Sequence, residues 1–178
     1  MLTLSGAEAD RREFAAVFNA HHRDAVRLAY LLVSDPDQAE DVVAEAFTKV
    51  YRRWRKGDIR DIGAYVRRAV ANEANSRLRR RYLERDRAQH RTGDERGVRR
   101  VDDHAADRDE VWWALRRLPR RQRTAVVLRY FEDLTEEQTA EALGVSTGTV
   151  KSQVSRALSR LERLLSSSAP AEREGDGA

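Results

Sequence analysis

The sequence predicts an all-α fold of two small helical domains joined by a flexible linker, the second containing a helix-turn-helix. Apolar residues recur at helical spacing along most of the 178 residues, and strand-like alternation persists over no useful length. Charged residues make up 36% of the chain, and one central segment has almost no large apolar side chains. The absence of cysteine excludes a disulfide scaffold and a thiolate zinc site, and fits a reducing cytosol.

The predicted boundaries follow this apolar pattern. The first lobe covers residues 12–83 and the second covers residues 108–165. The linker between them, residues 84–107, is too polar to offset the entropy lost when a chain is ordered. Residues 1–11 and 166–178 are predicted to be disordered ends.

Three helices are predicted in the first lobe. The first carries an apolar stripe over residues 14–32, and a break at Ser34–Asp37 contains Pro36. The second, residues 39–54, is the clearest amphipathic helix in the chain. A turn follows from Gly57 to Ile62, and the third helix covers residues 64–82.

The second lobe carries the most specific local signal. Thr135 and Gln138 form a capping box at the start of a short helix, and Gly144 stands where a turn needs a positive φ. Val145 is predicted to be buried under that turn, and Ser146 or Thr147 to cap the next helix. The predicted buried stripe of this last helix consists of Val150, Val154, Leu158, Leu161 and Leu165.

The opposite face of the last helix is polar near its start. Lys151 and Arg156 could meet base acceptors or phosphates, since the start of the second helix of a helix-turn-helix enters the major groove. Short side chains at Ser152 and Ser155 permit close approach to DNA. The alternative is an αα-hairpin whose polar face is only solvated. The combination of cap, glycine turn and apolar spacing favours DNA binding.

The net charge of +4 hides an uneven distribution. Residues 1–50 carry a net charge of −4, whereas residues 51–100 carry +10. A basic block next to acidic neighbours indicates a surface for a polyanion. All but three of the basic residues are arginine, which either phosphate contacts or codon bias explains.

The second helix bears a cluster of carboxylates near its start. A metal site is disfavoured because ligands would have to converge from other segments, and few histidines precede the linker. The helix dipole alone favours acidic residues at this end. A third interpretation is a docking surface for a basic helix of another protein. The cluster consists of Asp37, Glu40, Asp41 and Glu45.

The order of four motifs resembles that of the extracytoplasmic-function (ECF) sigma factors of bacterial RNA polymerase, in the arginine-rich style of actinobacterial members. The resemblance covers about residues 12–165. The motifs are DPDQAEDVVAEAF, YRRW, AYVRRAVANEANSRLRRR and, beyond the linker, LRRLPRRQRTAVVLRYFEDLTEEQTAEALGVSTGTVKSQVSRAL.

The resemblance implies that the first lobe binds the β′ clamp helices of core polymerase and the promoter −10 element. The matching core-binding residues are Asp37, Glu40, Asp41, Val42, Glu45 and Phe47. Asn72, Asn75 and Ser76 match the loop that captures a flipped −10 base, although these residues could merely end one helix and cap the next. The implied −10 backbone contacts are Arg67, Arg68, Arg77, Arg79, Arg80 and Arg81. Tyr65 departs from the family, because many members have tryptophan there.

The second lobe would read the −35 element. The implied contacts are Thr147, Thr149, Lys151, Ser152, Ser155 and Arg156. Arg120, Arg121 and Arg123 would touch phosphate or the β flap of polymerase, or would only be solvated. An anti-sigma factor is a common partner in this class, and it would cover the charged faces of both lobes.

The expected protein is therefore a cytoplasmic initiation subunit without a catalytic centre, metal, cofactor or membrane insertion. A stand-alone helix-turn-helix regulator is the first alternative, but no α/β receiver pattern accompanies the motif. A helical metal-dependent nuclease is the second, but no set of His, Asp and Glu has ligand spacing and no glycine loop could cradle phosphate.

Overall fold

The computed structural model describes residues 3–92 and 110–168 of the chain. Within these ranges it contains seven α-helices and no strand, so the predicted all-α fold is confirmed. The helices are α1 (Thr3–Val33), α2 (Pro36–Trp54), α3 (Ile62–Thr92), α4 (Glu110–Arg116), α5 (Arg120–Tyr130), α6 (Glu136–Leu143) and α7 (Thr147–Ser168).

Helix α2 forms the centre of the first lobe, packed against α1 and α3. It begins at the N-cap Asp35, whose Oδ1 accepts a hydrogen bond from the Gln38 amide at 3.0 Å. That backbone hydrogen bond is the largest cause of the lowered pKa of Asp35. The buried stripe of α2 follows the predicted periodicity and consists of Ala39, Val42, Val43, Ala46, Phe47 and Val50.

Aromatic rings join α1 to α2. The ring centroids of Phe14 and Tyr51 are 4.8 Å apart, as are those of Phe18 and Phe47. Trp54 lies 5.5 Å from Phe14, and Tyr51 and Trp54 are both half-buried in this aromatic contact.

The helix-turn-helix forms as predicted. The Thr135 Oγ1 accepts from the Gln138 amide at 3.2 Å, and the Gln138 side chain accepts from the Thr135 amide at 2.8 Å, which completes the capping box. Gly144 ends α6 in the left-handed conformation with φ of 65°. Ser146 caps α7, because its Oγ accepts from the Thr149 amide at 3.2 Å.

Replacing Gly144 with alanine should destabilise the protein by about 1–2 kcal/mol, the usual cost of a left-handed conformation for a residue with a Cβ. A Cβ at this position has open space around it, so the loss would come from backbone strain and not from a clash. Urea unfolding measures the effect. The matched control is Gly148→Ala, where the glycine lies inside α7 and alanine should be neutral or stabilising. Equal losses in both variants would show that the left-handed conformation of Gly144 is not the cause of the destabilisation.

Several residues of the second lobe are less buried than the sequence predicted, and of the predicted stripe of α7 only Val150 is fully buried, while Val154, Leu161 and Leu165 are half-buried. Val145 is 41% exposed and Leu158 is 42% exposed, so the prediction that both are buried was wrong. The buried face of α7 contains Ala157 and not Leu158, and Ala157 and Val150 are both fully buried. With 3.6 residues per turn, seven residues make nearly two full turns, so position 157 lies on the same face of the helix as position 150. Position 158 is rotated away from that face.

Several helix ends lie outside the predicted boundaries. Helix α1 begins at Thr3, within the predicted disordered end 1–11, and α7 continues to Ser168, within the predicted tail. Helix α3 extends to Thr92 and so includes the first residues of the predicted linker 84–107. A packed helix adds further turns at little cost when the sequence contains good helix formers. Residues 93–109 and 169–178 lie outside the described residues.

The two lobes pack directly against each other, which the sequence did not predict. Helices α5 and α6 lie against α1 and α3, and residues of both lobes share one buried apolar cluster. The rings of Tyr30 on α1 and Trp112 on α4 stack with centroids 5.1 Å apart. The second lobe contributes Val127, Leu128, Leu134 and Ala142 to this cluster.

Candidate nucleic-acid interface

The acidic face of α2 lies beside the arginines of α3. Asp41 Oδ2 accepts a hydrogen bond from Arg77 Nη2 at 2.5 Å, and a Glu45 oxygen lies 3.7 Å from Arg77 Nη1. Glu45 is also 3.8 Å from Arg80. The predicted docking carboxylates are therefore partly neutralised by side chains predicted to contact DNA. Asp37 and Glu40 are exposed on the same helix, and Glu40 lies 3.6 Å from His22 Nε2.

Val42 and Phe47, the two apolar residues of the predicted core-binding set, lie on the opposite, buried side of α2 from the carboxylates. Both are buried in the first lobe, with 0% and 4% of their surface exposed. Their side chains hold α2 in the bundle and do not face solvent. Their effect on a docked partner would therefore be indirect, through the orientation of α2.

Glu73 is a buried carboxylate beneath this surface. Its side chain is 3% exposed, pairs with Arg80 at 2.9 Å and accepts a hydrogen bond from Lys49. Burial alone raises the pKa of Glu73, but the hydrogen bonds with Lys49 and Glu45, together with the charges of Lys49 and Arg80, outweigh it, so that the pKa is lowered. A hydrogen bond with Glu73 raises the pKa of Glu45. Glu73 therefore ties α3 to α2 from inside the lobe.

Replacing Glu73 with glutamine should lower the free energy of unfolding by about 1–3 kcal/mol, because Lys49 and Arg80 lose their buried counter-charge. The folded pKa of Glu73 lies below its ordinary value of 4.5, so this stabilisation is present above pH 4.5 and is lost as the pH falls below it. Urea unfolding at pH 7 and at pH 4 should show the difference between the wild type and the variant shrinking on acidification. Glu40→Gln is the control and should have little effect, because the Glu40 side chain is 60% exposed and lies outside the Glu73 cluster.

The predicted −10 residues of α3 differ in their exposure. Asn72 and Ser76 are exposed, whereas Asn75 is half-buried. The Asn75 side-chain oxygen accepts a hydrogen bond from Thr124 Oγ1 at 3.2 Å, and its backbone carbonyl accepts from Arg120 Nη1 at 3.0 Å. Helix α5 of the second lobe therefore covers one of the three polar side chains.

The six arginines of α3 that are predicted to contact the −10 backbone also differ in their surroundings. Arg79 and Arg80 are exposed, Arg77 is half-buried, and Arg81 donates to the Gln38 side chain. The remaining two lie near the second lobe. Arg68 Nη1 is 3.9 Å from Glu141, and Arg67 has a buried Nε without a hydrogen-bond partner among the described residues.

The polar face of α7 is open to solvent. Ser152 is half-buried and donates to the Thr149 carbonyl at 2.9 Å, and the Lys151 ammonium lies 3.3 Å from Glu136. This face follows a capped turn and therefore has the geometry of a recognition helix. Its exposed members are Thr147, Thr149, Lys151, Ser155 and Arg156.

Comparisons with known proteins place this geometry in a family. A model of sigma-70 region 2 matches residues 17–83, and a model of sigma-70 region 4 matches residues 108–161. The RNA polymerase sigma-E factor of Streptomyces antibioticus is 36% identical over 160 residues, covering 89% of this chain and 88% of that protein. The chain belongs to the ECF sigma factors. It directs bacterial RNA polymerase to promoters.

Other relatives agree with the assignment of this sigma factor. The ECF RNA polymerase sigma factor SigM of Mycobacterium tuberculosis (strain H37Rv) is 36% identical over 162 residues, covering 88% of this chain and 79% of the relative. A solved structure of the sigma factor RpoE with the anti-sigma factor NepR from Bartonella quintana matches with a TM-score of 0.64 and 27% identity, over 88% of this chain and 96% of that one. CnrH in complex with the cytosolic domain of CnrY shares the fold, with a TM-score of 0.62 and 20% identity over 92% and 96% of the two chains.

The family comparison does not favour the stand-alone regulator that the sequence left as an alternative. In the described residues of this sigma factor, no group of three or more His, Cys, Asp or Glu side chains is placed to hold a metal ion. Among the helices of these ranges, none combines the length and the hydropathy of a membrane-spanning segment.

Sequence reasoning missed three residues that shape the site. Glu73 is an ordinary glutamate in the sequence, and only its burial shows its role. The sequence predicts Arg123 as a contact to phosphate or polymerase, or as a solvated charge, and gives Thr124 no role, whereas in the structure both contact the first lobe. These contacts join segments far apart in the chain, so no local pattern could have revealed them.

Proposed function

We propose that this sigma factor binds core polymerase and the −10 element with its first lobe and the −35 element with its second lobe. The observation that carries the assignment is the adjacency of the exposed acidic face of α2 and the arginine-lined helix α3 in one helical bundle. A surface of this kind can hold a basic protein helix and a nucleic acid side by side. An initiation subunit needs both contacts at once.

The second lobe supports reading of duplex DNA. Helix α7 presents Lys151 and Arg156 as exposed donors near its start, and the capped turn sets its angle to α6. Arginine and lysine can donate to guanine O6 and N7 in the major groove, while the hydroxyls of Thr147 and Thr149 suit backbone phosphates. We assign these side chains, with Ser152 and Ser155, to the −35 element.

The first lobe supports capture of an unpaired base. Asn72 and Ser76 are exposed on α3, next to arginines that suit phosphate contacts, and Asn75 lies one turn from Asn72. Amide side chains can both donate to and accept from the Watson–Crick edge of a flipped base. The backbone contacts are assigned to Arg67, Arg68, Arg77, Arg79, Arg80 and Arg81.

The acidic face of α2 supports docking on a basic helix of core polymerase, which the family resemblance identifies as the β′ clamp. Asp37, Glu40, Asp41 and Glu45 are all exposed there. The carboxylates of the ion pairs with Arg77 and Arg80 are exposed to solvent, where such pairs are weak, so a polymerase side chain can replace them.

The proposal includes no catalytic role, because the polymerase supplies the chemistry. It places the protein in the cytoplasm, where core polymerase acts. An anti-sigma factor as a further partner is supported by the solved complexes of RpoE with NepR and of CnrH with CnrY. The β flap is the proposed polymerase contact of the second lobe.

Transcription in vitro tests the proposal. Core polymerase is incubated with genomic DNA fragments with and without this chain, and the 5′ ends of the transcripts are mapped. We expect new start sites that share two upstream sequence elements at a constant spacing. Transcripts that are the same with and without the chain would overturn the proposed function.

A further inference from the structure

Lysine is rare in this chain. Of the 34 basic residues only Lys49, Lys56 and Lys151 are lysine, and all the others are arginine. The two side chains differ chemically, because a lysine amine can be acylated and then loses its charge, whereas the guanidinium of arginine stays charged. Acylation can therefore remove positive charge from this sigma factor at only three side chains.

The three lysines have different surroundings. Lys49 donates to the buried carboxylate of Glu73, so its acylation would leave a buried charge with one partner fewer. Lys56 is exposed and forms no ion pair in the part of the chain that the structure describes. The Lys151 side chain is 65% exposed on α7, and its ammonium lies 3.3 Å from Glu136 on α6. An ion pair with so exposed a member is weak, so the Lys151 amine leaves it at little cost.

A cleft lies beside Lys151, between α6 and α7. Its volume is about 510 Å³, and Glu136 and Lys151 lie on its walls. Val154 and Leu158 form an apolar part of the lining, and Leu158 is 42% exposed. These two residues follow Lys151 by three and seven positions, which places all three side chains along one face of α7. A concave site of this size with an apolar wall suits a small apolar group.

From these observations we propose that Lys151 is an acylation site whose short acyl chain occupies the cleft between α6 and α7. The modification replaces an ammonium near the start of α7 by a neutral amide and so removes a contact to the −35 element. The acylation rests only on the structure of the second lobe. Its effect on DNA binding rests on the proposed function.

The acyl donor in this proposal is an acyl phosphate, which reacts with free amines without an enzyme. The Lys151 ammonium first loses one proton to water, and its Nζ then attacks the acyl carbonyl carbon. The bond from this carbon to the phosphate oxygen breaks, and phosphate leaves with the electron pair and takes up the second proton of the nitrogen. One ammonium and one acyl phosphate thus give one amide, one hydrogen phosphate and one proton, and no atom is oxidised or reduced.

Mass spectrometry of peptides tests the site. The full chain is treated with acetyl phosphate or with butyryl phosphate, and modification of Lys151 is compared with that of Lys56, which is exposed but does not line the cleft. With butyryl phosphate we expect a Lys151 to Lys56 ratio about threefold higher than with acetyl phosphate, since the longer chain buries two more CH₂ groups in part against the apolar wall. A ratio near one with both donors would overturn the site.

A change in the apolar wall tests the role of the cleft. Leu158→Ala should abolish the preference of Lys151 for the butyryl donor. The matched control is Leu165→Ala, seven residues further along α7 and outside the cleft, which should keep the preference. Circular dichroism checks that both variants keep their helices. The same preference in both variants would overturn the seating of the acyl chain in the cleft.

Binding to a duplex with the −35 element of a mapped promoter tests the consequence. Each chain is measured before and after treatment with butyryl phosphate. The wild type and Lys56→Arg should bind about tenfold more weakly after treatment, as expected for the loss of one DNA contact. Lys151→Arg should not change on treatment, whatever its starting affinity, because arginine is not acylated.

A loss of the same size in Lys151→Arg would overturn the effect of Lys151 acylation on DNA binding. The peptide measurement needs neither polymerase nor promoter. A failure of the transcription assay would therefore overturn the proposed function and leave the acylation of Lys151 separately decided.

Discussion

Reversing the charges of Asp41 and Glu45 together, to lysine, should weaken binding to core polymerase by roughly 100-fold or more. Each carboxylate that loses a basic partner across a desolvated interface costs about 2–5 kcal/mol, since the partner is left buried and unpaired. The side chains are 61% and 48% exposed in the free chain, so the fold should lose little. Co-purification with core polymerase and a fluorescence titration measure the effect.

The control for this pair is Asp10→Lys with Asp58→Lys. These residues lie in the same lobe and form exposed ion pairs at 3.6 Å with Arg55 and Arg53. The control therefore removes the same number of carboxylates and breaks the same kind of pair. Similar losses of core binding in both double variants would show that net charge, and not the α2 surface, determines docking.

Replacing Lys151 and Arg156 with alanine should reduce transcription from promoters that depend on their −35 element by roughly 10- to 100-fold. Each lost base or phosphate contact costs about 1–3 kcal/mol, and partial coupling between the two sites lowers the sum. Both side chains are exposed, so the free energy of unfolding should stay nearly unchanged. Run-off transcription and binding to a −35 duplex measure the loss.

Two arginines further along α7 provide the control for the second lobe. Arg160→Ala with Arg163→Ala removes the same charge from the same helix, beyond the part that enters the groove. This variant should retain most −35 binding and all core binding. If it lost as much transcription as the Lys151 and Arg156 variant, general attraction to DNA would explain the effect better than a recognition helix.

The sequence predicted the parts of this protein that depend on short-range patterns. The stripe of α2, the capping box at Thr135 and the positive φ at Gly144 are all confirmed, because each is decided within one or two helical turns. The ends of α1, α3 and α7 were placed too far inward. Helix ends depend on propagation from a packed core, which side-chain composition alone does not show.

The predicted roles of the site residues remain predictions, but the structure separates them by position. Val42 and Phe47 lie in the core, while Asp41 and Glu45 lie on the surface of the same helix. The helical periodicity of the sequence predicted this distinction, since positions 42 and 47 fall on the apolar stripe. The core-binding residues implied by the family resemblance were listed together, without separating buried from exposed positions.

Local sequence therefore determined the helices, their caps and the family to which the chain belongs. Only the tertiary structure decided that Glu73 lies buried beneath the α2–α3 surface and that α5 covers Asn75. The contacts responsible join residues far apart in the chain, with a sequence separation of 91 for Arg123 and Leu32 and of 49 for Thr124 and Asn75. Such contacts form because two half-covered apolar surfaces exclude water together, and that outcome depends on the shape of both lobes at once.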